Sequence, residues 1–401
     1  MPNETLPVRI LLLADSHLGF DLPILPRTQR RRRGHDLRAN YAAALEPARE
    51  GRVDLVVHGG DIFHRARVLP SLAYDALRPL AEVAELGVPV FVVPGNHERS
   101  RIPHERFGAH PNVHIFRGPE TILVDVRGCR VAVAGFPYVR HRIRERFPQV
   151  LEDTGWGRVE ADLRLLCFHH CVEGATVGPG DYTFRHNPDV IRCADLPSGC
   201  AAVLSGHIHR QQVLRRDLQG RSLSTPVLYP GSVERTSFAE VGEEKGYFLL
   251  ELEPTPGGGE LIRHRFVPLP ARPMLVRELH PTGIPGTVWC SRELDTRLAA
   301  ALADAPRDAV LRLRIHGEVP EEARSSLAAA HLRRLTPPSM NLELVLADER
   351  ARRDSTDTRA PRRGRPEARP ASPECLAEVG HISSGSQLSL DLPDVERPAG
   401  G

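Results

Sequence analysis

The chain has 401 residues, 41% of them hydrophobic and 26% charged, values typical of a globular protein with room for two domains. Its formal net charge of +2 is nearly neutral, so charge alone indicates no nucleic-acid partner. No apolar run reaches the roughly 20 residues of a membrane span, and acidic Glu4 stands where an export signal is positive, so we expect a cytoplasmic protein.

Two residue types are used unusually. The seven cysteines form no C-x-x-C pair, which favours reduced thiols over a structural zinc site. Lys245 is the only lysine among 53 basic residues. Because this bias runs along the whole chain, we attribute it to overall composition and assign Lys245 no function from the sequence.

The start of the chain alternates apolar strands with a helix. Near-continuous apolar runs, typical of strands buried on both faces, occur at 8–14, 53–58 and 88–93. Segment 71–87 has apolar residues on one helical face, with Ser71 predicted as its N-cap and Gly87 at its end. Pro79 is expected to kink or restart this helix. The pattern predicts an α/β fold.

The rest of the chain predicts two further regions. Short apolar runs from about residue 113 predict meandering strands, which complete a first domain over 1–270. Residues 271–348 read as β-α-β-α-β and predict a small second domain. Residues 349–401 are rich in proline and charge, basic first and then acidic, which predicts a disordered tail.

Polar side chains follow five of the predicted strands directly. They are Asp15, His17, Asp61, Asn96, His97, His169, His170, His207 and His209. A single D-x-H or G-N-H is weak because turns also use these residues, but five in succession predict one site where strand ends converge. Carboxylate, imidazole and amide donors suit manganese, iron or zinc better than calcium. The two glycines before Asp61 allow close backbone approach.

These motifs resemble those of the calcineurin-like metallophosphoesterase superfamily. D-x-H, G-D, G-N-H, a single His and G-H-x-H follow one another in that order across residues 15–209. DSHLG (15–19), GGDIFH (59–64) and SFAEVGEEKGY (237–247) are further similar to the SbcD-type DNA repair exonucleases. The resemblance implies a four-layer αββα sandwich with a small C-terminal α+β capping domain that closes over DNA.

The resemblance also implies two neighbouring divalent cations, with Mn²⁺ as the expected ion. One would be held by Asp15, His17, Asp61 and His209. The other would be held by Asp61, Asn96, His207 and a histidine of the 169/170 pair. The family commonly has Gln after this strand-end histidine, which selects His169 and leaves His170 lining the cleft.

His97 is the expected catalytic side chain. In this family two cations roughly 3.5–4 Å apart activate water and hold the attacking and leaving oxygens of a displacement at phosphorus. His97 follows Asn96 and would be the general acid or charge stabiliser; the alternative is a structural histidine. His64 matches a family histidine near the substrate. The family usually has Asp where this chain has Glu98, which we expect to alter the orientation of His97.

DNA is the expected partner. Arg31 and Arg32 lie in the arginine-rich loop 27–34, which either contacts backbone phosphates or is a solvated face. The resemblance implies an SMC-like ATPase partner, and a second copy of the chain is a further candidate. Gln387–Leu392 resembles the peptide by which bacterial proteins bind the replication sliding clamp, although such short motifs also arise by chance.

The favoured function is a metal-dependent DNA exonuclease or endonuclease acting in repair, within the nucleoid. One alternative of the same fold is a small-molecule phosphatase or cyclic nucleotide phosphodiesterase that ignores DNA. Another is a non-cleaving DNA-binding scaffold protein. The second domain and the arginine loop favour a polymeric substrate, and the complete ligand set argues against a scaffold.

Overall fold

The computed structural model describes residues 6–21, 30–98, 107–282 and 288–347. The predicted clamp-binding peptide Gln387–Leu392 and the tail 349–401 lie outside the described residues. The chain divides into two compact units. The first comprises residues 1–20 and 34–271, and the second comprises 21–33 and 272–401. Residues 30–33 of the arginine loop therefore belong to the second unit, whereas the sequence pattern places them within the first domain.

The described part of the first unit is built from sixteen strands and three helices. The strands are β1 (Val8–Leu13), β2 (Leu55–His58), β3 (Val90–Val92), β4 (Val113–Ile115), β5 (Glu120–Val126), β6 (Cys129–Gly135), β7 (Leu163–Phe168), β8 (Cys171–Val172), β9 (Thr176–Val177), β10 (Tyr182–Thr183), β11 (Val190–Ile191), β12 (Ala202–Ser205), β13 (Gln212–Arg216), β14 (Ser222–Tyr229), β15 (Gly246–Glu253) and β16 (Glu260–Pro268). The helices are α1 (Arg33–Arg49), α2 (Pro70–Glu85) and α3 (Ile143–Asp153).

Two six-stranded sheets form the frame of this unit. The first has the order β16-β15-β1-β2-β3-β4, and the second has the order β13-β14-β12-β7-β6-β5. In the first sheet β1 to β4 are parallel, and in the second β6, β7, β12 and β14 are parallel. Strands β13, β15, β16 and β5 pair antiparallel at the margins.

The sheets pack face to face and are covered by helices. Side chains such as Ile10 and Val57 of the first sheet share a buried cluster with Leu165 and Leu204 of the second. The opposite face of the first sheet forms a second cluster with α1 and α2. On the second sheet, Phe147 of α3 packs edge-on against Phe168, which is also buried. The layers α, β, β, α agree with the expected sandwich.

Helix α2 differs from its sequence prediction at its start. Leu69 is the N-cap, and Pro70 is the first helical residue, where a missing N–H costs no hydrogen bond. Ser71 is therefore not the cap. The helix runs without interruption through Pro79, and Gly87 just beyond its end has a φ of +84°. The predicted apolar face is buried, and it includes Ala73, Ala76, Leu77, Leu80, Val83 and Ala84.

The strands after residue 113 do not form the predicted meander. β4 continues the first sheet, parallel to β3. β5 and β6 form an antiparallel hairpin, but β6 and β7 are parallel, and α3 lies between them in the chain. The run lengths alone could not distinguish a hairpin from a crossover, because they carry no information on strand direction.

The second unit contains three strands and two helices in its described residues. They are β17 (Met274–Leu279), α4 (Ser291–Ala303), β18 (Val310–Ile315), α5 (Ala329–Leu335) and β19 (Asn341–Leu346). The strands pair in chain order and are all parallel, so this unit is of the alternating α/β type rather than α+β. Its core includes Trp289, Leu294 and Leu298. None of the helices in the described segments has the length and apolar character needed to cross a bilayer.

Arg30 stabilises the second unit. Its guanidinium donates to the Thr336 side chain (3.0 Å) and to the carbonyl oxygens of Arg333 (2.7 Å), Thr336 (3.3 Å) and Pro337 (3.1 Å). These acceptors lie at the carboxyl end of α5, where carbonyl groups lack partners within the helix. The arginine run thus contains a structural residue.

We predict that Arg30→Met lowers the free energy of unfolding of the second unit by about 2–3 kcal/mol, because charged hydrogen bonds to partly buried carbonyl groups are lost. Chemical denaturation followed by circular dichroism would measure the change. Arg31→Met is the matched control, since the Arg31 side chain is exposed and should contribute less than about 0.5 kcal/mol. Equal destabilisation by the two variants would contradict the prediction.

Candidate metal centre

The predicted ligands lie at the carboxyl ends of parallel strands from both sheets of the first unit. Asp15, Asp61 and Asn96 follow β1, β2 and β3, while His169 and His207 follow β7 and β12. Backbone hydrogen bonds connect these loops. For example, the Asp15 N–H donates to the Gly60 carbonyl oxygen at 2.9 Å. Both sheets therefore contribute to one site, as strand-end loops do in open α/β folds.

Four of these residues have an unusual backbone conformation. Asp15, His17, Asp61 and His207 have φ values of 50°, 42°, 54° and 81°. Only three other described non-glycine residues have a positive φ. This region is uncommon for L-residues, although Asp and His adopt it more readily than most. Such conformations concentrate at functional sites because the surrounding structure must impose them.

The first group of donor atoms comprises Asp15, His17 and His209. One ligand atom from each lies within 4.8 Å of the others. The Nε2 atoms of His17 and His209 are 2.9 Å apart, and His17 Nδ1 is buried with no hydrogen-bond partner. Both Asp15 oxygens accept from the His207 backbone N–H, at 3.1 and 3.0 Å.

The second group is centred on Asn96. Its Oδ1 lies 3.1 Å from His169 Nε2 and 3.0 Å from His207 Nδ1. Asp61 Oδ2 is 3.4 Å from His169 Nε2 and 3.8 Å from His17 Nε2. Asp61 thus reaches both groups, the position expected of a carboxylate shared by two cations.

The hydrogen bonds behind the site indicate what these donor sets can hold. His169 Nδ1 lies 2.7 Å from the Gly59 carbonyl, which requires a proton on Nδ1 and directs Nε2 toward Asn96 and Asp61. Oxygen and nitrogen donor atoms then converge in a buried space, which is unfavourable unless a proton or a metal cation lies between them. The residues fit a pair of divalent cations with oxygen and nitrogen ligands and no thiolate.

The electrostatics of the site also favour added positive charge. Burial opposes ionisation of His169, but Asp61 and Asp15 raise its pKa to about 9. Burial and the neighbouring His169 lower the pKa of His207 to about 3, so its imidazole is neutral and available as a ligand. Burial raises the pKa of Asp61, yet the surrounding histidines hold it well below its ordinary value.

The glycines beside the ligands permit the close approach that the sequence predicts. A Cβ on Gly60, whose φ is +110°, would overlap the His169 ring. A Cβ on Gly95 would overlap the Asp61 carboxylate. Larger residues at these positions would separate the loops that bring the donor atoms together.

His97 and His64 lie together at the margin of the donor groups. His97 Nδ1 donates to the His64 carbonyl at 2.7 Å, so Nε2 faces the site, 3.8 Å from Asp61 Oδ2. The His97 side chain is 24% exposed, whereas the Asp61 side chain is 3% exposed. His97 is therefore accessible to a bound substrate that does not itself contact the buried ligand residues. The His64 ring packs edge-on against Phe20, with ring centroids 5.0 Å apart.

Glu98 binds the backbone of the ligand loops, and its effect on the orientation of His97 stays a prediction. Its buried carboxylate accepts from the backbone N–H groups of Asp61 (3.1 Å), Phe63 (2.8 Å) and Gly95 (2.6 Å). Burial and the Asp61 charge raise the pKa of Glu98 to about 8. Glu98 thus joins two ligand loops.

The two adjacent histidines of the 169/170 pair have different surroundings. His169 belongs to the second donor group, whereas His170 is buried and its ring nitrogen Nε2 is bound elsewhere; its place lining the cleft stays a prediction. His170 Nε2 accepts from the Val139 backbone N–H (2.9 Å), and its ring stacks on Tyr138 with centroids 4.7 Å apart. His170 therefore stabilises the loop after β6, to which Tyr138 and Val139 belong.

His58 is a buried residue of this region that the sequence analysis did not single out. As the last residue of β2 it lies behind the donor groups, and its Nδ1 accepts from the Gly60 backbone N–H at 3.2 Å. Its Nε2 is 2.9 Å from the Ser16 hydroxyl. Burial lowers the pKa of His58 to about 3, so it acts as a neutral hydrogen-bonding residue. Its place inside an apolar strand is the one available sequence signal.

Arg31 and Arg32 belong to the second unit. The Arg31 backbone donates to the Pro338 carbonyl (3.0 Å), and its own carbonyl accepts from Asn341 (3.1 Å). Arg32 forms an ion pair with Asp21. Contact of these arginines with a substrate stays a prediction.

Comparison with known families identifies the first unit. The profile of the calcineurin-like phosphoesterases matches residues 8–211, about half of the chain, and this range contains every predicted ligand. The chain belongs to the calcineurin-like phosphoesterase family. The family resemblance drawn from the motifs is thereby confirmed, and membership implies a hydrolase of phosphate esters that holds divalent metal ions.

Individual relatives are similar at modest identity. The chain is 28% identical over 304 residues to the DNA double-strand break repair protein Mre11 of Methanopyrus kandleri, covering 70% of this chain and 60% of that protein. It is 26% identical over 283 residues to one of the subunits of the nuclease SbcCD of Bacillus subtilis, covering 62% and 67%. It is 25% identical over 245 residues to the uncharacterized metallophosphoesterase YhaO of Bacillus subtilis, covering 60% and 56%. The chain thus spans about three fifths of the first relative.

We predict that His169→Asn and His170→Gln have different effects. His169→Asn removes a donor of the second group and should abolish binding of one of two Mn²⁺ ions, as measured by titration calorimetry. His170→Gln should keep both ions, because the Gln side-chain carbonyl can accept from the Val139 N–H. A reversed pair of results would show that the ligand assignment is off by one residue.

We also predict that the adjacent residues Glu98 and His97 contribute very differently to the stability of the protein. Glu98→Ala leaves three buried N–H groups without an acceptor and should lower the free energy of unfolding by about 3 kcal/mol or more. His97→Ala should change it by less than about 1 kcal/mol, because the ring is partly exposed. Urea denaturation of both variants tests this, and a Glu98→Ala protein as stable as the wild type would refute it.

Proposed function

We propose that this protein is a DNA nuclease that hydrolyses phosphodiester bonds with two divalent metal ions, expected to be Mn²⁺, and acts in DNA repair. The observation that carries the proposal is the convergence of buried donor atoms from five strand-end loops in the first unit. Asp61 Oδ2 lies within 3.8 Å of histidine donors from both groups. A carboxylate that reaches both groups of donor atoms indicates one site for two cations rather than two separate metal sites.

Seven residues are assigned as metal ligands. They are Asp15, His17, Asp61, Asn96, His169, His207 and His209. A pair of divalent cations, when bound, supplies Lewis-acid charge to the phosphoryl oxygens and makes water a stronger nucleophile at neutral pH. The tight surrounding backbone, with glycines at 60 and 95, fixes these donors before substrate arrives and so limits reorganisation during the reaction.

His97 is assigned as the general acid or charge stabiliser for the leaving oxygen. The His64 carbonyl fixes the proton on Nδ1, so that Nε2 is the atom that faces the substrate. In its protonated form Nε2–H can donate to the oxygen that departs from phosphorus. The partial exposure of His97 supports this role over a structural one. His64 is proposed to contact the substrate next to it.

The choice of DNA as substrate is supported by the relatives. The names of two of them describe a DNA double-strand break repair protein and part of a nuclease with more than one chain. The second name supports a partner chain, which we propose to be an SMC-like ATPase. We further propose that the second unit, with Arg31 and Arg32, contacts DNA, that Gln387–Leu392 binds a sliding clamp, and that the protein acts in the nucleoid.

The decisive experiment is an Mn²⁺-supplemented assay of the full chain on end-labelled duplex, hairpin and single-stranded DNA, run beside bis-nitrophenyl phosphate. We expect cleavage of DNA and of the small diester, and loss of both in Asp61→Asn. His97→Ala should lower the DNA rate by roughly 100-fold or more, the usual contribution of a general acid.

The same assay separates the alternatives. Hydrolysis of the small ester without cleavage of any DNA would favour a small-molecule phosphatase or phosphodiesterase. DNA binding without hydrolysis of either substrate would favour a scaffold protein. Unchanged activity of Asp61→Asn would refute the proposed metal centre itself.

A further inference from the structure

The segment 237–247 contains none of the proposed metal ligands, but it contains the only lysine of the chain. The Lys245 side chain is fully buried, although lysine is rarely buried without partners. Its ammonium group has three acceptors, namely Glu240 Oε2 (2.6 Å), Glu243 Oε2 (2.9 Å) and the His209 carbonyl oxygen (2.7 Å). All three of its donor hydrogens are therefore used.

Glu240 connects this lysine to the metal centre. Its Oε1 lies 3.3 Å from His209 Nδ1 and accepts from the Thr236 hydroxyl at 3.0 Å. Its Oε2 accepts from Lys245 and, at 3.4 Å, from the Ser232 hydroxyl. The carboxylate is buried between the imidazole and the ammonium group. Lys245 thus acts on His209 twice, directly through the backbone carbonyl and indirectly through Glu240.

We propose that Lys245 and Glu240 are positioning residues that fix the tautomer and ring orientation of His209, and thereby determine the affinity for the cation held by Asp15, His17 and His209. An imidazole ligand must present a free lone pair. A carboxylate that accepts from Nδ1–H keeps the proton on that nitrogen, leaves Nε2 free and makes it more basic.

The lysine is required because the carboxylate is buried. A buried carboxylate is unfavourable without a charged partner, and it must be held in place if one of its oxygens is to accept from His209 Nδ1. Lys245 Nζ supplies that partner at 2.6 Å from Glu240 Oε2, while Oε1 of the same carboxylate faces His209 Nδ1. A guanidinium is planar and larger, whereas an ammonium group is a compact charge with three donors, which suits this enclosed space.

Glu240→Gln is the sharpest test, since it removes the charge but little volume. Lys245 would take the amide oxygen, so that the amide NH₂ faces His209 Nδ1 and favours a proton on Nε2. We expect the affinity for one of two Mn²⁺ ions to fall roughly 10- to 100-fold in titration calorimetry, with the other ion unaffected. Histidine ¹⁵N shifts of the metal-free protein should show His209 changing from the Nδ1–H to the Nε2–H form.

Two further variants separate positioning from stability. Lys245→Met should weaken binding of the same ion even if it lowers the melting temperature, because Glu240 and the His209 carbonyl lose the donor that holds them in place. Glu173→Gln is the matched control: Glu173 pairs with Arg144 at 2.6 Å, is similarly enclosed, and contacts none of the proposed ligands. We expect this control to bind both ions as the wild type does.

The inference rests on the proposed metal centre, and the outcomes distinguish the two. Failure of the wild-type protein to bind Mn²⁺ would refute the proposed function, while the ¹⁵N shifts would still report whether Glu240 sets the His209 tautomer. Two ions bound with unchanged affinity by Glu240→Gln would overturn the inference alone. So would an equal weakening of both ions by Glu240→Gln and Glu173→Gln, which would assign the pair to general stability.

Discussion

The structure of the first unit depends on one electrostatic constraint, the burial of the Asp61 carboxylate among groups that mostly carry lone pairs. Asp61 is 2% exposed, and its neighbours include His17, His97 and His169. Such a group is tolerated only if positive charge compensates it. The loops that follow five strands place donor atoms that can hold divalent cations around it, and the two sheets must meet at one edge for all five loops to contribute.

Around this centre the chain uses a repeated arrangement, in which a hidden group controls the ring or loop that faces the substrate. The Gly59 carbonyl sets the tautomer of His169, the His64 carbonyl sets that of His97, and Glu240 does the same for His209. Because each control is a hydrogen bond behind the ring, the reactive atoms are oriented by the folded structure itself. Some of the hydrogen bonds that hold the folded structure together therefore also set the geometry of the site.

Much of this was accessible from the sequence, for identifiable reasons. The ligand positions follow apolar strands, and strand burial and strand ends are both visible as hydrophobic pattern, so Asp15 and His207 could be found. The direction of the strands after residue 113 could not be predicted, because parallel and antiparallel strands have similar composition. The role of Glu98 was also hidden, because its three hydrogen-bond donors are backbone N–H groups that only folding brings together. The attachment of Arg30 to α5, about 300 positions along the chain, was hidden for the same reason.

The burial of Lys245 has a consequence for the protein's outer surface. With the single lysine enclosed, side-chain positive charge at the surface is carried by arginine, apart from protonated histidines. A guanidinium keeps its proton far into the alkaline range and is not a target of lysine acetylation. The positive side-chain charge at the surface is therefore nearly constant above neutral pH, and reagents that acylate lysine side chains have little to act on while the fold is intact.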